Sequence, residues 1–420
     1  MLAAQSARLL PDGWLSTFSA SANAGLRHLR LTSIPADLTC LTQLTRFDAL
    51  VWPWSPRPMN LGPVAALPSL RHLRLLDESF SGRLKDDIII QERQQLMRLS
   101  TLTSLTQLRV ALGFDVSELP ALPALRSLRC RRAQLHDRQL LSSCPQLTEL
   151  DILAVTAAPE QQAAPPCLLP QLQRAVLGRL GGVVALAPHL RHLTCPLRPA
   201  PLPGQSGSRP VSPPQSDMFT HALSQLSQLR SLYLPGGSAG DISRALQQAV
   251  AQQCTRLVLR ICGWDLALLP ACRAMHTLEL QPMESDSAFA LRAVCWLAAM
   301  QDSSVREFVC YLPDFPWITA APNAWLPLLA GWRSLRRLVL HSRLIPGSLQ
   351  ALAAACARRG SPLTRIELRY SEQDQVEPTY EAWMRGCGAA CASVERAHPA
   401  ITCIAVKAPG AEDVDAYVHH

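Results

Sequence analysis

Lysine is almost missing from this chain: Lys85 and Lys407 are the only two in 420 residues, so nearly all of the 40 basic side chains are arginine. Asparagine is equally scarce, with Asn23, Asn60 and Asn323 alone, and none of the three opens an Asn-x-Ser/Thr acceptor for N-glycosylation. Aromatic residues make up 5% of the chain, too few to interleave with the basic positions as a base-stacking surface requires, which argues against nucleic acid as a partner. Apolar runs are interrupted by Arg, Gln, Pro or Ser well short of the roughly 18 to 20 residues of a membrane span. The N-terminus lacks the charged segment and apolar stretch of a secretory signal. Cytoplasmic localisation is the expectation, with the nucleus as the alternative. An organelle transit peptide in the acid-poor residues 1–25 is the other possibility.

Catalytic signatures are missing too. There is no Gly-x-x-x-x-Gly-Lys, no His-Glu-x-x-His, no Gly-x-Ser-x-Gly and no Gly-x-Gly-x-x-Gly, so the chain is expected not to be an enzyme and to carry no cofactor. Cys387-x-x-x-Cys391, with His398 and Cys403 nearby, does not follow a usual zinc spacing and reads as core and helix-face thiols, with no metal. The 14 cysteines have no regular spacing. Several (Cys130, Cys195, Cys272, Cys310) stand where Leu is expected, a pattern of buried, reduced thiols.

What the chain does have is leucine at a fixed rhythm. A phrase with apolar residues at steps of three, three and two recurs from end to end, as in Leu67-x-x-Leu70-x-x-Leu73-x-Leu75, Leu102-x-x-Leu105-x-x-Leu108-x-Val110, Leu226-x-x-Leu229-x-x-Leu232-x-Leu234 and Leu335-x-x-Leu338-x-Leu340. Fifteen copies end between Leu31 and Val406, a mean period of about 27 residues. The last three positions alternate, which suits a short strand that sends two side chains into a core and one outward. One such unit cannot bury its own apolar face, so the units must stack.

The chain resembles the leucine-rich-repeat family over nearly its whole length. That resemblance implies an α/β solenoid, a curved horseshoe with a parallel β-sheet on the concave face and helices and irregular segments on the convex face. Fifteen strands about 4.8 Å apart give an arc of roughly 70 Å. The family's Asn, three residues after the last Leu, is missing: Ile34, Glu78, Gly113, Ala133 and Met283 occupy its place, with Cys262 and Ser371 the only types able to bond similarly, and irregular, locally soft turns are expected.

The expected organisation is an N-terminal flank or partial cap at 1–25, repeats with short irregular outer segments at 26–195, and a Pro/Ser/Gly-rich disordered excursion at 196–216. Repeats with convex helices, similar to the ribonuclease-inhibitor-like subclass, follow at 217–408, and a C-terminal tail at 409–420. Asp241 and Ser348 are expected to cap helices in the second half. A further helix carrying Ile88, Ile89, Leu96 and Leu99 is expected within 83–99.

The concave face follows from the alternation. Its expected partner-binding residues are His28, Arg30, Arg46, His72, Arg74, Arg109, Arg129, Arg131, Tyr233, Arg256, Arg260, Arg337, Arg365 and Arg369. From Arg30 to Arg131 basic residues outnumber acidic ones, which points to an acidic surface on a partner protein. The function expected is a non-catalytic interaction scaffold. The alternative is a substrate receptor of a ubiquitin ligase resembling F-box proteins, whose F-box is reduced here to Leu10-Pro11-Asp12-Gly13-Trp14-Leu15 or truncated.

Overall fold

The structure, a computed structural model, describes residues 25–31, 34–35, 37–50, 60–76, 95–113, 119–134, 144–156, 169–177, 187, 189–195, 223, 226–238, 253–262, 269, 272–282, 297–311, 326–341, 346–370 and 380–407. The chain divides into two compact units, Met1–Cys195 and Pro196–His420. In the first, strands β1 (His28–Leu31), β2 (Arg46–Leu50), β3 (His72–Leu76), β4 (Gln107–Gly113), β5 (Ser127–Gln134), β6 (Glu149–Thr156), β7 (Arg174–Leu177) and β8 (His192–Thr194) lie side by side in sequence order, all parallel. In the second, β9 (Ser231–Ser238), β10 (Arg256–Cys262), β11 (Thr277–Pro282), β12 (Glu307–Tyr311), β13 (Arg337–His341), β14 (Arg365–Tyr370) and β15 (Thr402–Lys407) do the same. Each unit is a leucine-rich-repeat solenoid. Every expected phrase ends inside one of these strands except that at Cys195, which falls one residue past β8.

The backbone explains the three-residue steps. In most repeats the apolar residues before a strand donate their N–H to the carbonyl of the apolar residue three positions earlier, as in Leu41 to Leu38 (2.9 Å), Leu44 to Leu41 (3.0 Å), Leu105 to Leu102 (3.0 Å) and Cys272 to Leu269 (3.0 Å). A tight turn of this kind returns one side chain to the same side every three residues. The step of two then marks entry into the strand. The resulting stack is dry: Leu41, Leu44, Phe47, Leu70, Leu73, Leu75, Leu335, Leu338 and Leu340 are all fully buried.

Adjacent repeats are tied together by a second network, at the start of the strands. The carbonyl of the residue just before each strand accepts two consecutive N–H groups from the next repeat. Arg27 accepts Thr45 and Arg46 (both 2.9 Å), Thr45 accepts Arg71 and His72, Arg71 accepts Thr106 and Gln107, and Thr106 accepts Arg126 and Ser127. The pattern continues from Arg230 through Thr255, His276 and Arg306 to Arg336. Where the residue is Thr, its hydroxyl donates a third bond to the same carbonyl: Thr45 to Arg27, Thr106 to Arg71, Thr148 to Arg126, Thr255 to Arg230 and Thr364 to Arg336 (3.0 to 3.2 Å).

The outer segments differ from expectation in places. The helix carrying Ser348 is α2 (Pro346–Arg359), α1 being the short helix Gly62–Ala65. It starts two residues before Ser348, with Pro346 at a position where the missing N–H costs nothing. Ser348 is not its cap: the side chain is fully inside, and its hydroxyl has no partner. The C-terminus of α2 closes on Gly360 at φ 61°, with Ser361 N–H bonded to Cys356 and Gly360 N–H to Ala357. This is a Schellman ending, in which a left-handed residue satisfies the last carbonyls. Of 83–99, the described part begins at 95, runs into the 3₁₀ turn Arg98–Thr101 and buries Leu96 and Leu99. Ile88, Ile89, Asp241 and the segment 196–216 lie outside the described residues. The last helix, α3 (Tyr380–Ala397), leads into β15.

Candidate partner-binding surface

Opposite the core, each sheet carries ordered rows of side chains. In the first unit the register aligns His28, Arg46, His72, Gln107, Ser127 and Glu149 in one row, and Arg30, Asp48, Arg74, Arg109, Arg129 and Asp151 in the next. In the second, one row is Ser231, Arg256, Thr277, Glu307, Arg337 and Arg365, and the middle row is Tyr233, Val258, Glu279, Val309, Val339 and Glu367. The third holds Arg260, Gln281, Tyr311, His341 and Arg369. All the expected face residues are therefore on strands. The side chains of Arg131 and Arg260 lie outside the described residues.

Many arginines on this face are engaged with carboxylates, which the alternation places on the same face without assigning them a role. Asp48 is 4% exposed, although it sits on the solvent side of the sheet. Arg46 grips it at two points (Nε to Oδ1 3.2 Å, Nη2 to Oδ2 3.0 Å), His28 Nε2 lies at 3.4 Å and Arg74 Nη1 at 3.9 Å. Burial pushes the Asp48 carboxyl up, but the Arg46 hydrogen bonds and charge, the Arg74 charge and the His28 hydrogen bond outweigh it and hold it below its usual range. Arg129 pairs with Asp151 through Nε at 2.9 Å.

The second unit repeats the device around Glu367, also 4% exposed. Arg337 reaches from β13 to Glu307 on β12 and to Glu367 on β14, both at 2.7 Å. Arg369 Nε meets the other Glu367 oxygen at 2.7 Å and Arg365 Nη2 stands at 3.4 Å. Burial again opposes ionisation, and hydrogen bonds from Arg337 and Arg369 overcome it. Arg256 pairs with Glu279 at 3.3 Å.

Strict alternation fails here. Val258, Val309 and Val339 face outward in register and yet are 8% exposed or less, in a row flanked by Arg256, Arg337, Tyr311 and His341. Long side chains that reach across strands shield such a row with their stems. Tyr311 and His341 stack with ring centroids 3.8 Å apart. Burial raises the Tyr311 pKa, with the Glu279 charge and a hydrogen bond to Glu279 adding to the rise. His341 Nε2 is buried without a hydrogen-bond partner, and burial, then the Arg369 charge, lowers its pKa to about 3. The ring is neutral at any ordinary pH.

A further set of cations occupies the rim, each standing one residue before a strand. Arg27, Arg71, Arg126 and Arg191 in the first unit, and Arg230, Arg306 and Arg336 in the second, are exposed. The backbone carbonyls of all but Arg191, whose N–H takes part instead, carry the inter-repeat ladder, which fixes their spacing. Thr106, Pro123, Ala124, Arg126 and Gln146 line a shallow open depression at this rim. The alternation rule placed binding residues within the strands and so passed over these positions. Their signal in the sequence is the Arg that follows the Leu of the second three-step in Leu70-Arg71, Leu125-Arg126 and Leu190-Arg191.

Among the described residues no helix is long and apolar enough to cross a membrane, and no group of three or more His, Cys, Asp or Glu is arranged to hold a metal ion. No family model matches the chain, and no curated protein matches it. Solved structures do. One is a leucine-rich-repeat protein of Leptospira interrogans, at 12% identity and a TM-score of 0.38 over 94% of this chain and 99% of that one. An internalin of Listeria monocytogenes is similar at 12% identity and a TM-score of 0.31, covering 84% of this chain and 83% of that one. A leucine-rich-repeat-containing protein of Legionella pneumophila is similar at 15% identity and a TM-score of 0.35, covering 86% of this chain and 97% of that one. TM-scores this low add no weight of their own; by strand order and register, the chain folds as leucine-rich repeats.

Proposed function

We propose that the chain is a non-catalytic platform that captures a partner protein by an acidic surface, on the outward sheet face and rim of the first unit. The observation that carries this reading is the excess of positive charge around Asp48. Burial lowers the Arg74 pKa, Asp48 opposes that, and Arg46, Arg30 and Arg129 add to the lowering. Asp48 pairs with Arg46 and Arg74, and Asp151 with Arg129, yet these guanidiniums and Arg30 still repel one another, and an incoming carboxylate relieves that repulsion. The rim arginines Arg71 and Arg126 extend the positive field along the strand ends. Glu149 and Asp151 lie on the same face, which favours a protein of mixed charge over a uniformly anionic nucleic acid.

The test uses a fluorescent polyglutamate peptide and the full chain. Arg30, Arg71 and Arg126 are replaced by Glu together, leaving the Asp48 and Asp151 pairs intact. Binding should weaken at least tenfold in the triple variant and fall with added salt. Equal binding by the variant, or tighter binding of an oligo(dT) strand than of polyglutamate by the parent chain, removes the proposal.

A further inference from the structure

The end of the second unit holds three thiols close together. Cys387 and Cys391 stand one turn apart on α3, and Cys403 is the first inward residue of β15; each is 5% exposed. Cys391 Sγ and Cys403 Sγ are 2.8 Å apart, not far beyond the roughly 2.0 Å of a covalent S–S bond. The approach is fixed by the backbone. His398 N–H bonds to the Val394 carbonyl (2.8 Å), Ile401 N–H to His398 (2.9 Å), and the N–H of Cys403 itself to Glu395 Oε1 (2.9 Å). The chain therefore leaves the helix and enters the strand through a short hydrogen-bonded reversal that delivers one sulfur onto the other.

We propose that Cys391 and Cys403 form a redox-active dithiol, oxidised by hydrogen peroxide to a disulfide that fastens α3 to the terminal strand. The two thiols are not equivalent. Cys403 donates its S–H to Cys391, which lowers the Cys391 pKa and raises that of Cys403. Cys391 is the nucleophile. Its thiolate attacks one peroxide oxygen, the O–O bond breaks, and the departing hydroxide takes a proton to leave as water, with Cys391 now a sulfenic acid. Cys403, as thiolate, then attacks the Cys391 sulfur, the S–S bond forms, the S–O bond breaks and a second water leaves. Two electrons pass from the thiols to the peroxide. Other thiols are poorer candidates: burial raises Cys130, Cys195 and Cys310 far above the usual range, and raises Cys387 to about 12.

The experiment treats the full chain with hydrogen peroxide and maps its cysteines by mass spectrometry without reduction. A linked pair of peptides bearing Cys391 and Cys403, lighter by two hydrogens and separated again by dithiothreitol, is expected. The oxidised form should unfold at a temperature higher by about 5 °C, since the bond closes a short loop in the unfolded chain. Cys391→Ser and Cys403→Ser should each abolish the link, and Cys387→Ser should leave it in place. If either Ser variant fails to fold, mapping of the parent chain and Cys387→Ser still decides. Recovery of Cys391 and Cys403 as free thiols after peroxide, or a link from Cys403 to Cys387 in the parent chain, overturns the proposal.

Discussion

Glu367 shows how much one side chain can organise. Its carboxylate is nearly inaccessible and holds three guanidiniums drawn from β13 and β14. Removing its charge takes away the carboxylate that Arg337 and Arg369 share, although Arg337 keeps its pair with Glu307; breaking a buried pair from one side costs about 3 to 5 kcal/mol, against about 0 to 1 for an exposed pair. Glu367→Gln should therefore destabilise the chain by about 3 kcal/mol in chemical denaturation, with most of the cost recovered when Arg337→Met is added. The exposed pair Arg333–Asp302 (3.0 Å, both side chains more than three-quarters exposed) provides the contrast. Its removal should move the denaturation midpoint very little. An equal loss from both substitutions would show that burial does not set the strength of these pairs.

Among the elements, the junction between strand and preceding turn does the joining. A backbone carbonyl accepting two N–H groups, joined at five junctions by a threonine hydroxyl, holds a repeat to its neighbour. Thr106→Val and Thr148→Val each delete one hydroxyl bond while keeping the shape, so each should cost about 1 kcal/mol. The two sites are separated by an intervening repeat, and the double variant should show nearly the sum. By comparison, Leu108→Ala opens the core between the same strands and should cost about 2 to 5 kcal/mol. These differences are readable from urea denaturation, and a double variant no worse than a single one would show that the hydroxyl bonds do not act independently.

Leucine spacing made the strands and their inward residues legible in advance, because a step of three or two has one geometric meaning when both sides of the pattern are populated. The same spacing placed Asp48 and Glu367 on the outward face but was silent on their burial and their partners. They lie at outward positions, and only the register across strands brings arginines from neighbouring repeats onto them. The burial of Val339 was hidden for the same reason. Ser348 misled because a serine ahead of an apolar helix face ordinarily caps, whereas here the chain had already turned helical at Pro346.

For the whole molecule, acid is the revealing condition. Asp48 and Glu367 have depressed pKa values in the folded chain, so the stability they confer is present above the ordinary carboxylate range and is lost as pH falls through their folded values. His341 acts earlier. It stays neutral down to about 3 when folded, but takes up a proton below about 6.5 when unfolded, so the unfolded state gains protons first and stability declines from there downward. The denaturation midpoint should accordingly begin to fall below pH 6.5 and drop more steeply below pH 4, with the net charge of +8 growing as carboxylates protonate. His341→Phe keeps the stack on Tyr311, removes a nitrogen that has no partner, and should flatten the profile between pH 6.5 and 5 alone. A parent midpoint constant across that interval would contradict the neutral buried imidazole.

Because the strands of each unit lie in the order in which the chain is written, tension applied to the two ends of a unit pulls along its rows of inter-repeat bonds instead of shearing them all at once. Such a body yields like a strip of adhesive tape, one turn at a time and at low force, and regains its length by the same small steps when released.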